Sequence, residues 1–214
     1  LNGALMANQL ANRNYPFVYA INGKEDFIVG WTEKTIYYDS INANATGGYY
    51  FWDSRSHGGG LGFWTDANFD LFRFRRNVSY PAFSNCSLNE DYGDGSKNSG
   101  ATYGTVNGAL DWSDEIEDTE ASWTAQCFIR NLKAHYNQEA VYPDSATVDI
   151  SPKRLQRFNP PAVSIIRWNV IHRQDTIQSG SQVYTGGVIT IRNIKVFKDT
   201  ITLALSYLPA DTFY

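Results

Sequence analysis

Aromatic and polar side chains are interleaved in the segment from Gly47 to Asp66, GGYYFWDSRSHGGGLGFWTD. A sugar has apolar C–H faces and polar edges, so sugar sites often combine an aromatic ring with a few hydrogen-bonding groups. The segment therefore predicts a ligand site, although a hairpin packed in an ordinary core would have the same composition. The candidate ligand-binding residues are Trp52, Asp53, Arg55, His57 and Trp64.

The triple glycine after His57 predicts a turn, because glycine adopts positive φ and allows two backbones to approach closely. We expect a two-stranded hairpin with residues 57–60 at its turn, in which Trp52 and Trp64 approach each other across the pair. Aromatic side chains fall on both faces of the first strand. One set is then buried in the core, and the other packs against a further surface.

Motifs for catalysis or for a dedicated zinc site are not found in the sequence. The histidines belong to no H-E-x-x-H, H-x-H or C-x-x-C pattern, and no G-x-S-x-G elbow or phosphate-binding glycine loop is present. A glycosidase needs two facing carboxylates, which one sequence cannot place. We predict that the protein is not an enzyme and has no metal site. The residues considered for catalysis or metal binding are His57, His135, His172, Asp53, Asp66 and Asp70.

Charge argues against a nucleic-acid partner, since the net charge is −4 and the one basic cluster is Arg73, Arg75 and Arg76. An acidic run from Asp111 to Glu120 could supply oxygen ligands to Ca²⁺, but it does not fit an EF-hand loop, and a solvated acidic loop is the alternative. No stretch of about 18 apolar residues occurs, so we predict no membrane span. The start at Leu1, with no signal peptide, fits a mature or excised form.

Two cysteines and three N-x-S/T sequons favour a secreted or viral-surface glycoprotein. We expect a disulfide between Cys86 and Cys127, worth about 4 kcal/mol by the chain-entropy relation, with two buried free thiols as the alternative. The candidate glycosylation sites are Asn44, Asn77 and Asn85.

The elements that position these residues are mostly strands. Alternation is clear in the last third of the chain, and turn signals recur between the strands, which predicts an all-β protein built as one or more antiparallel β-sandwiches. A short helix is expected over 4–13, and a long loop over 84–122, bracketed by the disulfide. We expect a β module over 1–84, a loop region over 85–127 and a β-sandwich over 128–214, or one continuous domain.

The segment from Ala146 to Tyr214 resembles the H-type lectin domain. The resemblance rests on four short motifs: Phe158 with Pro160, Pro161 and Val163; Arg192-Asn193-Ile194; Phe197-Lys198-Asp199-Thr200; and Ser206-Tyr207-Leu208. It implies a small antiparallel sandwich that assembles into trimers or hexamers and binds N-acetylgalactosamine or galactose. Only Arg192 and Asp199 match the sugar contacts in type.

These observations predict a secreted, glycosylated, oligomeric carbohydrate-binding protein whose partners are glycans and further copies of the same or a similar chain. One alternative is a structural or carrier glycoprotein that holds an apolar pigment or lipid between protomers; another is a viral surface spike. No cofactor is expected, with Ca²⁺ or an apolar chromophore as alternatives. Oligomerisation is predicted because four aromatics exceed what one sheet face needs. They are Trp168, Tyr184, Phe197 and Tyr207.

Overall fold

The computed structural model describes residues 17–57, 73, 75–130 and 141–208, which form twelve strands and one helix. The strands are β1 (Tyr19–Gly23), β2 (Tyr49–Asp53), β3 (Tyr80–Ser84), β4 (Gly104–Val106), β5 (Leu110–Trp112), β6 (Glu117–Asp118), β7 (Ser122–Ile129), β8 (Ser145–Lys153), β9 (Ile165–His172), β10 (Asp175–Val183), β11 (Ile191–Phe197) and β12 (Ile201–Leu208). The helix, α1, runs from Trp31 to Ala43. The all-β prediction is confirmed.

Three sheets make up the described part of the chain. The largest has the order β10-β9-β12-β7-β5, with β6 also paired to β7. The second has the order β11-β8-β3 and the third β1-β2-β4. Neighbouring strands are antiparallel except for β1 and β2, which are parallel. Parallel neighbours need a crossover, and α1 supplies it.

One large core collects side chains from all three sheets. Alternate residues of β7 are buried there, from Trp123 to Ile129, and they meet the buried faces of β12, β9, β8 and β11. Tyr49 and Phe51 of β2 join the same core. The three predicted segments therefore share one hydrophobic core, and β3 from the first segment pairs with β8 from the third.

A second core lies on the other face of β2. Tyr50 and Trp52 point into it and meet Trp31, Tyr38 and Ile41 of α1. The Trp52 and Tyr38 rings stack at 5.8 Å, and the Trp52 indole donates a hydrogen bond to the Ala101 carbonyl at 3.0 Å. The aromatics on both faces of β2 are thus all buried, one pair in each core.

The helix α1 was not predicted; its sequence reads as strand because it is rich in aromatic and β-branched residues. Its buried positions do follow helical spacing, at residues 31, 34, 35, 38 and 41. Two of these buried residues are polar, Lys34 and Thr35, so the apolar spacing of a helix is not visible in the sequence. Lys34 reaches the Gly23 carbonyl at 2.8 Å, so its charge is satisfied at the helix–sheet contact.

The predicted hairpin with its turn at residues 57–60 is wrong for β2. Both edges of β2 are occupied, by β1 along Tyr49–Asp53 and by β4 along Tyr50–Trp52. Trp64 and the predicted N-terminal helix over 4–13 lie outside the described residues.

The prediction of a disulfide-bracketed loop is also wrong, because Cys86 and Cys127 are both free thiols. Each is buried in the main core, where a thiol packs as a small hydrophobe. Burial raises the pKa of Cys86 to about 11 and raises that of Cys127 further, so both stay protonated. The segment between them carries β4, β5 and β6 and is held by strand pairing instead.

In the C-terminal part, β8, β9, β11 and β12 confirm the strands predicted from alternation in the last third of the chain, but β10 occupies a stretch whose residues are typical of turns. These Asp, Gly, Ser and Gln residues are tolerated because β10 is an edge strand, exposed along much of its length. The Gln178 side chain connects it to β11, the edge of the second sheet. It donates to the Asn193 carbonyl at 3.0 Å and accepts from the Lys195 amide at 2.7 Å.

Lys153, at the end of β8, is buried without a hydrogen-bond partner for its Nζ. Burial alone lowers the pKa of this amine to about 8. A buried donor with no acceptor is destabilising, more so when it is charged.

Replacing Trp52 should destabilise the fold strongly, since it removes the ring that connects β2 to α1. We expect Trp52→Ala to lower the free energy of unfolding by roughly 3–5 kcal/mol, measured by urea denaturation with circular dichroism. Phe27→Ala is the matched control, because that ring is 80 % exposed and its loss should change stability by about 0.5 kcal/mol or less. Equal effects of the two changes would contradict the two-core arrangement.

Replacing Gln178 should show whether its amide joins the two sheet edges. We expect Gln178→Ala to lower the free energy of unfolding by about 0.5–1.5 kcal/mol, because it removes two exposed hydrogen bonds that water can only partly replace. Gln182→Ala, at the penultimate position of the same strand, should have little effect. If both substitutions are neutral, the two edges are held together in another way.

Lys153→Met should stabilise the protein at pH 7, by roughly 1–3 kcal/mol, because it removes an unpaired buried amine. In the folded state the pKa of Lys153 is about 8 instead of the usual 10.5. Between these values the unfolded chain binds more protons, so the penalty is full below pH 8 and shrinks as the pH rises toward 10.5. The melting temperatures of the two proteins should therefore differ at pH 7 and come closer together at pH 10. A constant difference would show that Lys153 does not titrate in this range.

A candidate ligand cleft between two turns

A cleft of about 440 Å³ lies where the β9–β10 turn faces the β11–β12 turn. Five of its six lining residues come from these turns and the strand ends beside them, and the sixth precedes β8. The lining residues are Asp144, His172, Arg173, Phe197, Lys198 and Asp199.

The β9–β10 turn places Arg173 at the cleft through an unusual backbone. His172 pairs with Asp175, so the turn has two central residues, Arg173 and Gln174, with φ of 50° and 77°. Positive φ at both positions is the type I′ geometry that suits a two-residue hairpin, and it favours Asn-Gly over longer side chains. Two long residues in the left-handed region carry strain of order 1 kcal/mol or more each.

Across the cleft, Arg173 binds Asp199. Its Nε donates to Asp199 Oδ2 at 2.9 Å, and its terminal nitrogen contacts the same oxygen. The guanidinium holds the pKa of Asp199 below its usual range. All contacts of Asp199 with the described residues involve Oδ2, which leaves Oδ1 to accept a hydrogen bond from a ligand.

An aromatic stack forms the side of the cleft. The His172 and Phe197 rings are nearly parallel, with centroids 4.2 Å apart. His172 Nε2 is buried and has no hydrogen-bond partner within the described ranges, and the carboxylate oxygen Oδ2 of Asp199 is 3.8 Å away. A buried ring nitrogen without a partner is costly, so it offers an unsatisfied polar position next to the cleft.

Two ion pairs, Arg173–Asp199 and Lys198–Asp144, give the cleft both donors and acceptors. Lys198 Nζ lies 3.0 Å from Asp144 Oδ1. Neutral hydroxyl groups can both donate to the carboxylates and accept from the cations. The cleft therefore suits a polyhydroxylated ligand that lays an apolar face near the rings and its hydroxyls on the charged groups.

Of the sequence-predicted ligand residues that fall within the described ranges, only Asp199 lies in this cleft. Trp52 is completely buried and offers no surface to a ligand. Asp53 is buried as well and is engaged by Arg55, whose Nε donates to Oδ1 at 2.7 Å. His57 is half exposed and contacts Asp26, with 3.0 Å between Nδ1 and Oδ1.

Arg192 is exposed and lies at another place, beside Asp149 of β8 at 3.5 Å. Asp149 also accepts from the Asn193 amide at 2.9 Å and from the Asn85 side chain at 3.0 Å. This contact is structural, since it supports the irregular pairing of β11 with β8 between Ile191 and Ile194. The structure thus does not bring Arg192 and Asp199 into one site.

The sequons differ in accessibility. Asn77 is exposed and makes no hydrogen bond with the part of the chain that is described. The side-chain amides of Asn44 and Asn85 donate to the Ser40 carbonyl and to Asp149. Asn77 is therefore the acceptor whose modification disturbs the least structure.

The acidic segments show no cation cage. Among the described residues, no three His, Cys, Asp or Glu side chains are grouped as metal ligands. Several carboxylates bind protein groups instead: Asp118 accepts from the amides of Gln156, Arg157 and Phe158. No helix in the described ranges is long and apolar enough to span a membrane.

The cleft residues that were not predicted to contact a ligand are Asp144, His172, Arg173, Phe197 and Lys198. His172 had been considered only for catalysis or metal binding, Phe197 only for the lectin resemblance and for assembly, and Lys198 only as part of that resemblance. The signal that could have located them is the two-residue gap between the two strands, but Arg-Gln is not a typical turn pair.

No protein-family model, no curated protein and no solved structure matches this chain. The resemblance of the last third to H-type lectin domains therefore stays a prediction. The case for a function depends on the geometry of the cleft.

Proposed function

We propose that the protein is a carbohydrate-binding protein whose sugar site is the cleft lined by His172, Arg173 and Asp199. The observation that carries the proposal is the convergence of an aromatic stack with two ion pairs in one cleft of about 440 Å³. Sugar sites use this combination, because rings receive the C–H faces and charged groups fix the hydroxyls. Binding, not catalysis, is the activity proposed.

The strained turn supports the same proposal. Arg173 and Gln174 occupy a backbone that short turn residues would adopt with less strain. The arrangement places the Arg173 guanidinium on Asp199. Strain at this position is expected if the guanidinium has a role in binding.

We also propose that the fold is a β-sandwich in which the six-stranded sheet faces the β11-β8-β3 sheet. We propose as well that the last third of the chain is related to H-type lectin domains. Asp199 lies in the stretch Phe197–Thr200 that carries part of that likeness. Galactose and N-acetylgalactosamine are therefore the first sugars to test.

Secretion, glycosylation and assembly are also part of the proposal. The three sequons, above all the exposed Asn77, support secretion and glycosylation; the two free thiols give no support. The four aromatics that suggested oligomerisation are partly buried against the main core. Support for assembly now comes from β10, whose outer edge pairs with no described strand and which presents Val183 at 60 % exposure.

Asp199→Asn should weaken sugar binding at least tenfold, because the amide cannot hold the Arg173 guanidinium or accept as strongly from hydroxyls. Asp175→Asn is the matched control: it changes an exposed carboxylate beside the same turn and outside the cleft lining. Binding is measured by isothermal titration with galactose and N-acetylgalactosamine, after a glycan array with the unmodified protein. The proposal fails if the unmodified protein binds no glycan, or if the two variants bind equally well.

A further inference from the structure

Three consecutive apolar residues, Phe27, Ile28 and Val29, project from the loop between β1 and α1. Their exposed fractions are 80 %, 61 % and 45 %. Together they offer on the order of 300 Å² of apolar side-chain surface at one point, the size at which exposed patches on soluble proteins tend to be functional. This segment is called the apolar tip below.

The tip is held outward by hydrogen bonds to Asp26. Oδ1 of Asp26 accepts from the amide of Ile28 at 3.0 Å and from the amide of Val29 at 3.1 Å. The same carboxylate contacts His57 at 3.0 Å and Lys34 at 3.4 Å. Asp26 therefore connects the backbone of the tip to His57, which follows β2, and to Lys34 of α1. The apolar side chains of the tip remain exposed.

The charges beside the tip are mostly compensated. Asp26 is paired with Lys34 and contacts His57, and Glu25 is paired with Lys97 at 2.6 Å. The remaining nearby carboxylate, Glu33, lies in the first turn of α1 and folds back toward Gly30. A surface that approached the tip would thus desolvate few unpaired charges, which favours an apolar or zwitterionic partner.

The size of the tip decides between occupants. A stable protein interface buries about 800 Å² on each partner, more than twice what the tip offers, and a second copy would need a large matching surface. Binding to a lipid surface requires no large matching area, because each apolar side chain that inserts into the lipid adds its own transfer free energy. Aromatic and aliphatic side chains inserted at the acyl boundary are typical of proteins that bind lipid at its surface.

We propose that the apolar tip inserts into the headgroup region of a zwitterionic lipid surface, with Asp26 as the residue that presents it. The protein would then carry two separate surfaces, the cleft between the β9–β10 and β11–β12 turns and the tip next to α1. The lipid proposal does not depend on the sugar proposal.

Phe27→Cys, labelled with a polarity-sensitive fluorophore, tests insertion directly. The two native thiols are buried and protonated, so the label attaches to the new cysteine in the folded protein. Addition of phosphatidylcholine vesicles should shift its emission to the blue and increase it at least twofold. Val163→Cys is the matched control, since Val163 is 65 % exposed in the loop before β9, and its label should not respond.

Vesicle flotation of the full chain gives the second measurement. Phe27→Ser combined with Ile28→Ser should lower the vesicle-bound fraction at least tenfold, whereas Val163→Ser should leave it unchanged. No flotation of the unmodified chain would overturn the proposal. A concentration-dependent dimer lost in the double variant would assign the tip to a second copy, and a marked fall in its melting temperature would assign the tip to packing within the chain; either result would overturn it as well.

Discussion

The fold depends on one strand that is buried on both faces and paired on both edges. β2 carries Tyr49 and Phe51 into the main core and Tyr50 and Trp52 into the second core. A strand with large rings on both sides needs a cover on each side, since exposing either pair would lose several kcal/mol of burial free energy. The β1-β2-β4 sheet therefore requires α1 on one face and the six-stranded and β11-β8-β3 sheets on the other. The parallel pairing of β1 with β2 follows, because α1 lies between them in the chain.

Strands and helices were predicted correctly where apolar residues recur with a clear period along the sequence, and were missed where they do not. In β12, Ile201, Leu203 and Leu205 are buried and the residues between them are polar or small, so the strand could be predicted. In α1 the buried face includes Lys34 and Thr35, so hydrophobicity has no clear period there, and the helix was missed. In β10 one face is exposed, and the other, with Gln178, Gly180 and Gln182, is only partly buried and has no large apolar side chain. The sequence of this edge strand therefore shows no apolar alternation.

The candidate site was predicted from the wrong part of the molecule for a physical reason. Rings beside polar groups indicate a sugar site only when the rings are accessible, and a single sequence does not show accessibility. The segment that looked most like a site contains Trp52, which is the centre of the second core. The cleft instead combines residues from two turns 25 positions apart, His172-Arg173 and Phe197–Asp199, and only strand pairing between β9 and β12 brings them together.

The cleft is also a place where local preference and the overall fold disagree. Arg173 and Gln174 both have positive φ, and His172 Nε2 is buried without a partner. Each feature is unfavourable by about 1–3 kcal/mol, and each lies within three consecutive residues. A turn of Asn-Gly would close the same hairpin with less strain, but it would remove the guanidinium from Asp199. Conflicts of this kind concentrate at functional sites, where geometry needed for binding overrides local stability. The disagreement supports placing the function at this turn, on evidence independent of the shape of the cleft.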